Sequence, residues 1–165
     1  CLKDGETIAH GDWSLRALAV REMKVGFGWV QAKPTCSFAP VAVTPDELGT
    51  AWDGRLDVDL HLHRDHHQVG CANGKEMHFG FADLIAFAAR TRRLHAGAII
   101  GSGTVANADC SRGSSCLSEV RALEVLDTGK ASTPFLSFGE TVRMEARLAD
   151  GTAPFGAIET RIIKG

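Results

Sequence analysis

Tyrosine is absent from this 165-residue chain, and aromatic residues of all kinds make up only 7% of it. The protein therefore has no phenolic hydroxyl of its own with which to hold a ligand. An excess of either charge is missing too. Eighteen basic and twenty acidic residues leave a formal net charge of −2, which excludes the electrostatic footprint of a nucleic-acid or anionic-membrane binder. No apolar stretch approaches the roughly 18 residues needed to span a bilayer. Nor does a basic start followed by an apolar core mark a signal peptide. The five cysteines (Cys1, Cys36, Cys71, Cys110 and Cys116) are odd in number and never spaced C-x-x-C. That argues against a disulfide framework or a structural zinc site and fits a reducing, cytoplasmic compartment. Two catalytic signatures are also missing. There is no Gly-Lys-Ser/Thr ending for a phosphate loop, and neither Ser102 nor Ser115 sits in a G-x-S-x-G elbow.

What is present is ordinary for a folded chain: 44% hydrophobic and 23% charged residues, enough for one domain with a real core. Residues 1–165 are read as a single domain without repeats or low-complexity segments. The chain begins with Cys1 rather than Met, so it is expected to be part of a longer protein, truncated on its N-terminal side.

Periodicity predicts an α+β fold in which β structure dominates. "GDWSLRALAVREMK" reads as a helix opening at Asp12, whose carboxylate would cap it, with Leu15, Leu18, Ala19 and Met23 on one face. Residues 26–40 look irregular, punctuated by Gly26, Gly28, Pro34 and Pro40. "VAVT", 41–44, is a short β run, and "TPDELG" a capped helical turn. In "RLDVDLHLHRDHHQVG", apolar Leu56, Val58, Leu60 and Leu62 alternate with Asp57, Asp59, His61 and His63. That is a half-buried strand leading into a hairpin turn at residues 64–67. "FADLIAFAARTRRL", 81–94, is the strongest helix, with arginines near its C-terminal end. Residues 117–130 fit an extended start and a helical finish ending at Gly129. The last block, "ETVRMEARLADGTAPFGAIETRII", reads as two strands joined around Asp150-Gly151.

Two stretches invite a chemical reading. His61, His63, His66 and His67 could offer metal ligands, but on the polar face of a hairpin they are read as solvated histidines. In "AIIGSGTVANADC", an apolar run stops at Gly101-Ser102-Gly103-Thr104, where glycines allow close backbone approach and hydroxyls donate and accept hydrogen bonds.

Four ordered blocks, "GDWSLR", "GFGWVQAKPTCSFAPVAVTPDELG", "FADLIAFAARTRRLHAGAIIGSGTVAN" and "FLSFGETVRMEARLADGTAPFGAIE", resemble the fumarylacetoacetate hydrolase family over nearly the whole chain. The resemblance implies the mixed β-sandwich roll of that family's C-terminal domain. It also implies metal-assisted cleavage of a carbon–carbon bond in a 1,3-diketone acid, in aromatic-compound or tyrosine breakdown. The cofactor implied is a divalent cation (Mg2+, Mn2+ or Ca2+) held by acidic oxygens; the partners are a small diketo- or keto-acid substrate and, by family habit, a second copy in a homodimer. A decarboxylase or isomerase of a 2-keto acid, or a non-catalytic module of the same fold, is the alternative.

Residue by residue, Asp12 matches the family's aspartate metal ligand and Arg16 an arginine orienting neighbouring acids. Lys33 matches the lysine beside the metal, suited to stabilising a carbanion leaving group. Ser37 lies near a supporting hydroxyl. Gly103 and Thr104 match the substrate-contacting turn, whose amides and hydroxyl would meet a substrate carboxylate. Glu119 matches the glutamate that orients a catalytic histidine. Three departures stand out. The family's other metal ligands and its catalytic histidine lie upstream of the "DWS" block, where this chain has only Asp4, Glu6 and His10, so the chain alone is expected to be inactive. Gly11 replaces the usual asparagine. Ala19 stands where fumarylacetoacetate-cleaving members place a glutamine, and the tyrosines that hold their substrate are missing. Lost hydrogen-bond donors alter specificity more than reaction class.

Overall fold

The computed structural model describes residues 8–164; Cys1, Asp4 and Glu6 fall outside that range. Two antiparallel sheets and three α-helices make up the described part. Strand β1 (His10–Gly11) pairs with β2 (Ser37–Phe38). Strands β3 (Asp59–Arg64), β4 (His67–Asn73), β5 (Thr141–Arg147) and β6 (Ala157–Arg161) form the larger sheet, in the order β4-β3-β5-β6. The fold is α+β as expected. Among the described residues helix and strand are of comparable extent, so β structure does not dominate there, and the pairings between the six strands are antiparallel.

Alternation along β3 decides which face of the large sheet turns inward. Leu60 and Leu62 point the same way as Ala72 on β4, Ala146 and Val142 on β5 and Ile158 on β6. Leu62, Ala72, Val142, Ala146 and Ile158 are buried. The central cluster adds Ala39, Leu48, Val58 and Phe155. The opposite face carries Asp59, His61 and His63 beside Glu145 and its neighbours on β5, and it is only half solvated. Glu145 accepts hydrogen bonds from Arg147 and, at 2.9 Å, from Arg143. Burial alone would raise its carboxyl; the two arginines hold it below its ordinary value.

The edge of the sheet at β4 is covered by a chain crossing. Gly70 bridges Gly113, which follows a 3-10 turn at Cys110–Arg112. A Cβ on Gly70 would lie 2.4 Å from the backbone nitrogen of Ser114, and one on Gly113 would lie 2.5 Å from the Val69 carbonyl oxygen. The two backbones meet with no room for a side chain, and the strand edge is closed to further pairing.

Helix α1 spans Arg16–Val25, α2 Phe81–Ala88 and α3 Leu117–Thr128. Each corrects an expected boundary. Helix α1 starts after Asp12, with Leu15 at its N-cap and no side-chain cap; of its expected apolar face only Ala19 is buried, while Met23 is 63% exposed. Helix α2 begins where the Asp83 carboxylate accepts the Gly80 N–H at 3.0 Å, and it stops at Ala88, leaving the arginine cluster beyond its end. Helix α3 has no extended start, because the Cys116 carbonyl already accepts the Val120 N–H; Gly129, at φ 82°, ends it. Of residues 41–44, Val43 alone takes a β-bridge, and residues 45–48 form turns ahead of a 3-10 turn at Gly49–Ala51. Strands β5 and β6 do pair, but through a longer connection, residues 148–156, in which Gly151 takes φ 86°. No helix among the described residues is long and apolar enough to cross a membrane.

Past the end of α3, Glu124 ties down the following loop. Its carboxylate accepts the backbone N–H groups of Ser132 at 2.7 Å and Thr133 at 2.9 Å, and both hydroxyls. The Thr133 hydroxyl and amide, with Ser132, lower its pKa from 4.5 to about 2. A carboxylate depressed on folding adds stability above its unfolded value and loses it as the pH falls towards its folded one. Glu124→Gln is therefore expected to unfold at lower denaturant concentration than the parent at pH 7. The gap should close as the pH falls from 4.5 to about 2. A gap independent of pH in that window would show that the ionised carboxylate is not what holds the loop.

Candidate functional site

Two contacts bring residues 12–14 and 29–33 together. The Leu15 N–H donates to the Ala32 carbonyl at 2.8 Å. From α1, the Glu22 carboxylate accepts the N–H groups of Val30, Gln31 and Ala32 at 2.9, 2.7 and 3.0 Å. Burial would raise the Glu22 carboxyl, but these backbone donors hold it below its ordinary value. The loop before Lys33 is thus pinned to the helix, and Lys33 is carried to Asp12. Its Nζ donates to Asp12 Oδ2 at 2.7 Å and to Ser14 Oγ at 2.8 Å, and it lies 5.1 Å from the Trp29 ring centre. Asp12, expected as a helix cap, is instead the partner of this ammonium. The result is a positive charge fixed at the surface, its side chain 29% exposed.

The β1–β2 pair places Gly11 opposite Ser37, next to Asp12. A Cβ at Gly11 would come 2.5 Å from Met144 Cε on β5 and 3.4 Å from the Trp13 ring; an asparagine side chain at this position would have to displace the end of Met144. Ser37 Oγ accepts from Trp13 Nε1 at 3.5 Å and lies 3.3 Å from Thr160 Oγ1 on β6. His10 is paired across from Phe38. With the helix beginning only at Arg16, it is free to face the turn at residues 101–104. A Cβ on Gly101 would lie 3.3 Å from His10 Nε2. No local pattern marks that contact.

The remaining site residues lie further off. Gly103 takes φ 76° and its carbonyl accepts the Ser102 hydroxyl at 2.9 Å. Thr104 lines a cleft of about 320 Å³ with Glu76, His78, Phe79, Leu84 and Ser102. Asp12, Lys33 and Ser37 do not line that cleft. The Arg16 guanidinium lies 5.4 Å from the Phe135 ring centre and Arg121 of α3 lies 4.4 Å from it, so Arg16 stacks on an aromatic, with no ion pair to an acid among the described residues. Glu119, in the first turn of α3, has a buried Oε2 with no partner among the described residues, as has the neighbouring Ser118 hydroxyl.

Asp12 is the one carboxylate found beside Lys33 among the described residues, and the ammonium already occupies its Oδ2. A hard cation such as magnesium needs several oxygen ligands, and this donor set does not supply them. The four hairpin histidines do not converge either. His63 pairs with Gln68, and His67 with Arg64. His61 alone joins a cluster, with Asp59 and Cys71, whose donor atoms all lie within 4.8 Å of one another. Alternation places Asp59 and His61 on one face; the β3–β4 register, invisible in the sequence, adds Cys71.

A sequence-family model described as "Fumarylacetoacetate (FAA) hydrolase C-terminal" matches residues 5–163. No curated protein gives a significant match.

Proposed function

This chain belongs to the fumarylacetoacetate hydrolase family, and from that premise we propose that it serves as a hydrolase cleaving a carbon–carbon bond in a 1,3-diketone acid of the fumarylacetoacetate or acylpyruvate type. In such a reaction water adds to one carbonyl and the bond to the adjacent carbon breaks. The electron pair passes into an enolate, and a proton returns to the leaving carbon, giving a carboxylic acid and a ketone. The observation that carries the reading is the Lys33 ammonium, held by Asp12 and Ser14 at 2.7 and 2.8 Å. A fixed positive charge stabilises a developing enolate without reorganising.

In this reading the turn at residues 101–104 offers amides and the Thr104 hydroxyl to the substrate carboxylate, and Ser37 supports the strand beside Asp12. Glu119 is a positioning residue. A buried carboxylate oxygen without a partner calls for a donor, and an orienting contact to a histidine would supply one. Arg16, over Phe135, steadies the start of α1. The family is often dependent on a divalent cation, which Lewis-acid chemistry would use to polarise the carbonyl oxygens. Asp12 is the proposed ligand, and further oxygen donors are required before it could hold one. The reading extends to a mixed β-sandwich roll, a homodimer, a cytoplasmic location and a place in aromatic-compound or tyrosine catabolism.

Product analysis with acylpyruvates and fumarylacetoacetate, each with and without Mg2+, Mn2+ and Ca2+, tests the proposal. Equal yields of acid and ketone are expected where the oxygen donors and histidine missing beside Asp12 are supplied, as in a catalytically complete protein, and no turnover from the chain by itself. Release of carbon dioxide instead would assign the decarboxylase branch. Absence of turnover by the catalytically complete protein under all conditions would leave the chain as a non-catalytic module of the family fold.

A further inference from the structure

On the polar face of the β3–β4 hairpin, we infer that Asp59, His61 and Cys71 form a binding site for a borderline-soft divalent cation of the zinc type. His61 and Cys71 are direct cross-strand partners, and Asp59 stands two residues along on the same face, opposite Asn73. One donor atom from each of the three lies within 4.8 Å of the others. The Cys71 Sγ to His61 Nε2 separation is 3.6 Å. Zinc bonds of about 2.3 Å to sulfur and about 2.0–2.1 Å to nitrogen, at a tetrahedral angle, give an edge of roughly 3.5 Å. The two ligands already stand at the spacing such an ion demands.

Neighbouring residues hold the carboxylate in place. Asp59 Oδ1 accepts from Asn73 Nδ2 at 2.9 Å and from Arg112, leaving Oδ2 for an ion. Outer partners of this kind orient a ligand and strengthen its hold. Arg112 is itself fixed, its Nε donating to the Cys71 carbonyl at 2.9 Å. Its Nη2 donates to Cys71 Sγ at 3.9 Å, yet it does not repel the ion. A thiolate and a carboxylate cancel the charge of a dication, so the guanidinium faces a neutral centre. Glu145, opposite His61 on β5, is taken by Arg143 and Arg147 and does not compete.

Sulfur and imidazole ligands select zinc-like ions over magnesium or calcium. Three protein ligands leave the fourth position open to water or a small anion. Binding is an exchange without redox: the dication joins the sulfur, and the thiol proton leaves to solvent. The site is separate from the Asp12–Lys33 region, and its test does not depend on keto-acid turnover.

Cobalt(II) added to the purified, reduced chain is the probe. Expected are a sulfur-to-cobalt charge-transfer band, its loss on adding zinc, and release of one proton per ion bound. Cys71→Ser should abolish the band. His61→Ala, which leaves the sulfur in place, should weaken binding by about tenfold or more. Cys110→Ser, at an exposed cysteine outside the cluster, should change neither. A thiol–imidazole hydrogen bond alone would bind no ion; absence of the band in the parent chain, its survival in Cys71→Ser, or its loss in Cys110→Ser would each overturn the assignment.

Discussion

Replacing Lys33 with methionine in the catalytically complete protein is expected to lower kcat for an acylpyruvate by about 100-fold, the scale seen when one preorganised charge-stabilising group is removed. Methionine keeps the length and the contact with Trp29 while deleting the charge. The loss should fall mainly on kcat, because the ammonium matters most when negative charge develops on the leaving carbon. Lys33→Arg should recover part of it, since a guanidinium keeps the charge but cannot reproduce bonds at 2.7 and 2.8 Å to Asp12 and Ser14 in the same geometry. A Lys33→Met enzyme with unchanged kcat would remove the residue from the chemistry and leave it as a clamp between residues 12–14 and the loop before it.

Phe155→Ala is expected to cost about 3–5 kcal/mol in chemical denaturation, the range for a large aromatic lost from a core. For a domain of this size that corresponds to a fall in Tm on the order of 10 °C. The side chain is 1% exposed and packs in the cluster with Ala39, Leu48, Val58, Ala146 and Ile158. Its surroundings have little freedom to collapse into the space. The Phe155 carbonyl accepts the Val41 N–H at 3.2 Å, and the next residue, Gly156, sits at φ 75° where a Cβ would strike Pro40. Phe155→Leu, which refills most of the volume, should cost far less. Equal losses for the two variants would mean that ring shape rather than volume holds the cluster.

Alternation in residues 56–63 and 140–147 was enough to place β3 and β5, because half-buried strands write their two faces directly into the sequence. The family was legible too, since four blocks had to occur in one order. What escaped was decided by distant partners. Asp12 looks like a helix cap until Lys33 arrives from the far side of a loop. "LSEV" at the start of α3 fits strand and helix alike, and only the bond from Val120 to Cys116 settles it. The turn at Gly151 was read correctly, but Phe155 belongs to the core, which lengthens the connection between β5 and β6. Cys71 carries no local mark of importance; it becomes His61's neighbour only through strand register.

The crossing of Gly70 and Gly113 has a consequence for how this surface can vary. Arg112 reaches Cys71 and Asp59 because two bare stretches of main chain touch beneath it, not because side chains interlock. Exchanging residue 59, 61 or 71 would change what the face holds and leave its scaffold standing. One methyl group at position 70 would push β4 away from residues 113–114, the segment that carries Arg112. Anyone transplanting this cluster into another protein would need to carry residues 109–114 with the hairpin, since the hairpin alone brings the ligands but not the guanidinium that keeps one of them aimed.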